Sequence, residues 1–327
     1  MKTLLKVVGI LIGLVVLAVV GFIGFTEYRI SSMPDAEDIT ITATPAQLAR
    51  GEYLANNVMG CLDCHSQRDW SMYAGPVKMS TRGAGGEEFN EDMGLPGTFY
   101  SPNLTSAHLG DWTDGEIVRA VTMGVSKDGR PLFPLMPYHS YGKLDREDIY
   151  AVVAYLRTLP AVENDVPPSQ PIFPMNIIMN LIPQEPLYSK RPARSEGSAY
   201  GEYMATASGC ADCHTPFDGG QPDEAMRFAG GREFAMPQLG VVRAPNLTPH
   251  KTNGLGNWTK EMFVRRFKIY ADSTYRLPAV KPGDKQTIMP WLVYAHMTDD
   301  DLGAIYDYLM TLEPIDHAIE VFTPPAG

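Results

Sequence analysis

The stretches GCLDCHSQ, residues 60–67, and GCADCHTP, residues 209–216, are two copies of one pattern: Cys61, Cys64 and His65 in the first, Cys210, Cys213 and His214 in the second. They hold all 4 cysteines of the 327-residue chain, so no thiol is left for a separate disulfide framework. Disulfide, zinc and thiol-redox readings each use a Cys-x-x-Cys pair, yet none asks for histidine as the next residue. Histidine fills only 7 of 327 positions, so its recurrence after both pairs makes it part of the motif.

Outward from the motifs the likeness continues. RGEYL at 50–54 is answered by YGEYM at 200–204, SPNLT at 101–105 by APNLT at 244–248, and DWTDGE at 111–116 by NWTKEM at 257–262. LDREDIYAVVAYLRTLP, closing at Pro160, is answered by MTDDDLGAIYDYLMTLEP, closing at Pro314. An internal duplication of this kind predicts two units, residues 44–165 and 196–315. Each opens and closes on a helix. Thr44, Pro45 and Gln47 form a capping box at the first opening helix, and Asp145 and Thr298 cap the closing helices. Ile149, Val152 or Val153, Leu156 and Leu159, and again Leu302, Ile305, Leu309 and Leu312, recur at helical spacing. Long alternating runs are scarce, so the predicted fold class is all-α with long Gly- and Pro-rich loops. Residues 166–195 join the units; the six prolines of residues 166–186 and the apolar patch Ile172–Ile182 predict a linker packed on the surface rather than a free one. Residues 316–327 read as a loose tail.

The chain carries 27 basic and 38 acidic residues, a net charge of −11, which excludes nucleic-acid binding as a function class. Val7–Phe25 is 19 residues without a charge, and a helix of that length matches a hydrocarbon core of about 30 Å. Lys2 and Lys6 precede it, whereas Glu27, Arg29, Asp35, Glu37 and Asp38 follow. The positive-inside rule then keeps residues 1–6 in the cytoplasm, makes 7–25 a transmembrane anchor and 26–43 a tether, and exports the rest. A cleaved signal peptide is the rival reading; the run is longer than a usual apolar core of such a signal and no clear A-x-A site follows.

Cys-x-x-Cys-His is the attachment pattern of c-type haem. Two thiols three positions apart on a helical turn reach the two vinyl groups on one porphyrin edge, and the adjacent imidazole points at the iron. Such attachment is made outside the cytoplasm, where the anchor already directs the chain. A single zinc site shared by both pairs would leave both histidines idle.

These features resemble class I cytochromes c, in which an opening helix, the attachment motif, a loop carrying a methionine ligand and a closing helix follow in order. The PNLT, DW-T, GRPLFPLMPYHSY and AYLRTLP segments are similar to those of the cytochrome c subunits of membrane-bound bacterial alcohol and aldehyde dehydrogenases. Those subunits carry three haem motifs, and this chain carries two. The resemblance implies two tandem class I cytochrome c domains with two covalently bound haem c groups. A sixth iron ligand then comes from each downstream loop. LMPYHSYGKLDREDI and IMPWLVYAHMTDDDL align at a constant offset of 153, which sets Met136 on Met289 and Met297 on Leu144. His65, Met136, His214 and Met289 are therefore the expected axial ligands. Met297 becomes a packing residue; His139, His250 and His296 are the alternative ligands, but none has a histidine at the matching place in the other repeat. The stretch Ala271–Gln286 is longer than its counterpart and could shift the second loop.

Trp112 and Trp258 sit at equivalent places, and either contact a haem propionate through the indole N–H or are core aromatics. Asn103 and Asn246 are read as loop-fixing residues, so their N-L-T sequons mark a fold motif rather than glycan sites. Gly51 and Gly201 let each opening helix approach its closing helix, near Tyr155 and Tyr308. His/Met ligation raises haem potential relative to two imidazoles and suits an electron carrier. The predicted function is a single-pass inner-membrane cytochrome with its haem domains on the periplasmic or outer face. A dehydrogenase or quinol-oxidising complex is the expected donor and an oxidase or soluble cytochrome the acceptor. The alternative is a dihaem enzyme of peroxidase or oxidase type with an open haem position.

Overall fold

The computed structural model describes residues 1–236 and 238–325; the last two residues of the expected tail lie outside them. Seven helices set the frame: α1 (Lys2–Ser31), α2 (Pro45–Tyr53), α3 (Asp114–Met123), α4 (Arg146–Leu156), α5 (Ser198–Ala207), α6 (Lys260–Lys268) and α7 (Asp299–Leu309). Their starts are the ones the side chains dictate. Thr44 accepts from the Gln47 N–H while Gln47 reaches back, and Thr113 and Glu116 close the same box on α3. Asp145, Thr259 and Thr298 cap α4, α6 and α7.

α2 packs on α4, and α5 packs on α7 in the same way. A Cβ at Gly51 would overlap the Ala151 carbonyl oxygen, and one at Gly201 would overlap that of Ala304. Only glycine permits either crossing, with Tyr155 and Tyr308 flanking it. The apolar faces of the closing helices are buried as their spacing predicts: Ile149, Val152, Val153 and Leu156 on α4, Leu302, Ile305 and Leu309 on α7. Leu144 and Met297 are both fully buried packing residues.

The two helix pairs meet through a reciprocal contact. Tyr53 of α2 donates to Asp301 of α7 at 2.6 Å and accepts from the Thr298 N–H. Tyr203 of α5 donates to Asp148 of α4 at 2.7 Å and accepts from the Asp145 N–H. Each pair thus completes the other's closing-helix start.

The all-α expectation needs correction, because the long loops carry small antiparallel sheets. β1 (Glu88–Phe89), β2 (Gly97–Tyr100) and β3 (Gln170–Pro171) form one, β4 (Phe217–Asp218) and β5 (Gln221–Pro222) a second, and β6 (Glu233–Met236), β7 (Gly240–Arg243) and β8 (Phe322–Thr323) a third. None exceeds four residues, too short to display a strand period. β3 belongs to the Pro-rich linker, which is thereby pinned to the first half, and β8 belongs to the expected loose tail, which instead pairs Val241 with Thr323. The segment before α2 is also held: Ile39 and Ile41 pack on the core, and the Ile41 N–H donates to Asp114 at 2.7 Å.

α1 extends its apolar run by more than a turn. Its side chains from Val7 to Val20 are exposed, whereas Thr26 and Ile30 are buried. It is the one described helix long and apolar enough to cross a membrane, with mean hydropathy 3.0.

Candidate functional site

Gly60 and Gly209 adopt φ of +63° and +62°, a left-handed geometry that lets α2 with its continuation Leu54–Val58, and α5, break immediately before their motifs. Cys61–Cys64 and Cys210–His214 then form one helical turn each. Both cysteines of a pair therefore stand on one short helix, with the histidine at its end. No disulfide joins the four thiols, and among the described residues no cluster of three or more His, Cys, Asp or Glu could hold a metal ion. Burial pushes the Cys61 and Cys210 thiols up to about 12, opposite to the depressed values of redox-active Cys-x-x-Cys pairs.

The histidines are held alike. His65 Nδ1 lies 2.7 Å from the Pro102 carbonyl oxygen, and His214 Nδ1 lies 2.8 Å from that of Pro245. A carbonyl can only accept, so Nδ1 carries the proton and Nε2 is left with its lone pair, the state an iron ligand needs. Burial lowers the pKa of both imidazoles, which keeps them neutral. The carbonyls are themselves positioned by the PNLT segments. Asn103 is buried, accepts from the Thr105 N–H and hydroxyl, and donates to the Val162 carbonyl; Asn246 does the same with Thr248 and Ile315. Both amide nitrogens are committed inside the fold, so neither sequon presents a free acceptor for a glycan.

Met136 and Met289 are half-buried and each precedes a proline and a helical turn, Tyr138–Tyr141 and Trp291–Tyr294. The prolines share one backbone geometry, φ −78° and ψ 55° at Pro137, φ −75° and ψ 58° at Pro290. The long stretch Ala271–Gln286 has not shifted this loop; it folds onto the first half, where the fully buried Gln286 accepts from the Ala74 N–H and donates to the Met72 carbonyl. Each methionine loop is tied to its own motif: Tyr141 donates to the Met59 carbonyl at 3.0 Å, and Tyr294 to that of Ser208 at 2.5 Å. Burial, then the adjoining cysteines, raises both phenols far above their ordinary range.

The loops also cross. Pro137 faces Gly209, Ser140 donates to Asp212 at 2.8 Å, and Val293 faces Gly60. Each motif is therefore bounded by its own methionine loop and by that of the other half. Trp112 and Trp258 are half-buried against the core, and neither indole N–H has a hydrogen-bond partner among the described residues. His139 bonds the Ile182 carbonyl and His250 lies by Asp316, away from both motifs' hydrogen bonds.

Two charged groups were not singled out by the sequence. Arg68 pairs with the buried Asp63 at 3.3 Å and grips the Ala74 and Gly75 carbonyls, while Glu87 accepts from the Trp70 indole at 2.6 Å. In the second half Arg232 donates to the Asp212 carbonyl and lies over Phe217 at 4.2 Å. Burial raises the pKa of Asp63, Glu87 and Asp212. The aspartate inside each Cys-x-x-Cys was the available signal, but its arginine comes from a different place in each half.

Residues 198–313 match the family model described as Cytochrome c. The chain is 29% identical over 293 residues to an alcohol dehydrogenase (quinone), cytochrome c subunit, of Gluconacetobacter polyoxogenes, covering 84% of this chain and 58% of that protein. It is 30% identical over 297 residues to a gluconate 2-dehydrogenase cytochrome c subunit of Pantoea cypripedii, covering 86% and 63%. A protein named diheme cytochrome c-type, of Cereibacter sphaeroides, is 31% identical over 202 residues, covering 59% and 64%. The second half is thus a cytochrome c domain, and the chain is related to cytochrome c subunits of dehydrogenases, spanning about 58% of the length of the alcohol dehydrogenase relatives.

Proposed function

We propose that the chain is a membrane-anchored dihaem cytochrome c that relays single electrons as the carrier subunit or partner of a membrane dehydrogenase. The observation that carries this reading is the repeated histidine geometry: after each Cys-x-x-Cys, a neutral imidazole is locked by a carbonyl so that Nε2 is free. That donor set, with two thiols on one helical turn, fits covalent haem c and fits zinc or thiol exchange poorly. Cys61 and Cys64 would bind one haem and Cys210 and Cys213 the other. His65 with Met136, and His214 with Met289, would fill the axial positions.

When bound, the haems supply one-electron chemistry, and the residues supply the setting. Tyr141 and Tyr294 hold each methionine loop against its motif. The buried shell of Leu54, Val58, Leu62 and Leu144, and its counterpart of Met204, Ala207, Phe228 and Met297, keeps water from the sites. The unpartnered indoles of Trp112 and Trp258 suit donation to a propionate. The crossing loops bring the two motifs to one interface, which suits passage of an electron between halves. The domain plan, 44–165 and 196–315 around a packed linker, follows from the equivalent helix pairs.

α1 supports an inner-membrane anchor with the rest on the periplasmic face. The dehydrogenase names of the relatives favour a dehydrogenase as donor. Pyridine haemochrome assay and intact mass of the full chain purified from membranes test the reading: two covalent haems per chain are expected, and one or none would overturn it. Carbon monoxide that binds either reduced haem would assign an open iron position instead. Co-purification from mild detergent identifies the donor.

A further inference from the structure

α1 does not end at the edge of its apolar run. Two residues after Phe25, Glu27 accepts from Asn180 Nδ2 at 3.0 Å, and Arg29 reaches the Pro183 carbonyl at 3.5 Å. Thr26 and Ile30 are buried, and α1 packs on both the helical turn Met175–Ile178 and the turn Met179–Leu181 that follows. Two residues of helix rise about 3 Å, so Asn180 is fixed within about one turn of the level where the apolar run stops. The headgroup layer beyond a bilayer core is about 5–7 Å thick on each side.

The segment docked there has the composition for that layer. PIFPMNIIMNLIP, residues 171–183, contains no charged residue in a chain that is 20% charged. It also presents large apolar side chains outward: Ile172 is 47% exposed and Phe173 75% exposed. The Ile172 N–H, next to β3, donates to the Pro96 carbonyl at 3.0 Å and holds the backbone there. One residue, Pro174, separates Phe173 from the turn Met175–Ile178 that touches α1.

We propose that this linker is a second membrane contact, with Ile172 and Phe173 seated among the headgroups and upper acyl chains of the bilayer that α1 crosses. The proposal rests on the anchor reading of α1, and its occupant is the lipid surface continuous with that helix. Burying two apolar side chains there favours the contact by the hydrophobic effect, and the ion-free segment has no charge to desolvate. A helix alone leaves rotation about its axis free. A second contact displaced from that axis fixes which face of the haem unit looks away from the membrane.

Photo-crosslinking of the full haem-loaded chain in phosphatidylglycerol and phosphatidylethanolamine vesicles tests this. p-Benzoylphenylalanine is placed singly at position 12 in α1, at 173, or at 79, where the exposed Met79 lies on the exported surface. Mass spectrometry reads lipid adducts, and haem content verifies each fold. The expected result is adduct at 12 and at 173, several-fold above that at 79. Adduct at 12 with none above the level of 79 at position 173 would overturn the second contact while leaving the anchor intact. No adduct at 12 would overturn the anchor and this inference with it.

Discussion

Asp148 and Asp301 occupy equivalent places at the start of the two closing helices, but their partners differ in charge. Asp148 is held by Arg50 at 2.8 Å, Arg191 at 2.5 Å and the Tyr203 hydroxyl. Asp301 is held by one cation, Arg194 at 3.0 Å, and by the Tyr53 and Tyr200 hydroxyls. Position 50 is arginine in the first half and its equivalent, position 200, is tyrosine. The geometry of the joint has been kept while its electrostatics have diverged. The same holds around the motifs, where Asp63 meets Arg68 through its carboxylate but Asp212 meets Ser140 of the other half. In the proposed dihaem protein, duplicated frames with unlike charges would give the two haems unlike potentials.

That comparison can be broken in steps, from the largest expected effect down. Cys61→Ala with Cys64→Ala should remove one covalent haem while the other remains, and Cys210→Ala with Cys213→Ala should do the converse, read by mass and haemochrome assay. Met136→His and Met289→His should each lower the midpoint of one haem only, because two imidazoles stabilise the oxidised iron relative to His/Met. A redox titration that resolves two one-electron steps in the parent shows which step moves.

Gly201→Ala drives a Cβ into a backbone carbonyl, and it should cost about 3 kcal/mol, as should Gly51→Ala, measured by chemical denaturation. Tyr53→Phe and Tyr203→Phe each remove a hydroxyl from a buried carboxylate and should cost about 1.5–3 kcal/mol. Tyr53→Phe should be the more costly, since Asp301 has the fewer cations; equal losses would show that the charge difference is without effect at the joint. Thr298→Ala removes a cap and should cost about 1 kcal/mol, as should Thr44→Ala.

Local chemistry was legible in the chain. The caps at Thr44, Asp145 and Thr298, the close crossings at Gly51 and Gly201, and the loop-fixing asparagines all depend on neighbours a few residues away or on a repeated spacing. The motifs were legible because covalent attachment demands particular residue types at fixed intervals. The sheets were not, because strands of two to four residues leave no period. Nor was the joint between halves. Tyr53 and Tyr203 align perfectly in the repeat, which identifies them as equivalents without saying that each binds the other half's aspartate. Arg68 and Arg232 were missed for a related reason: they sit at positions that do not correspond in the repeat and contact their motifs differently, Arg68 through the Asp63 carboxylate and Arg232 through the Asp212 backbone carbonyl.

The reciprocal tyrosines have one more consequence. When residue i of one unit meets j of the second, and i of the second meets j of the first, the contact is isologous, the kind a two-fold homodimer makes. Here it lies within one polypeptide. The chain thus holds in covalent form an assembly that two separate copies of its half would otherwise form only at sufficient concentration, and its internal pairing is independent of dilution.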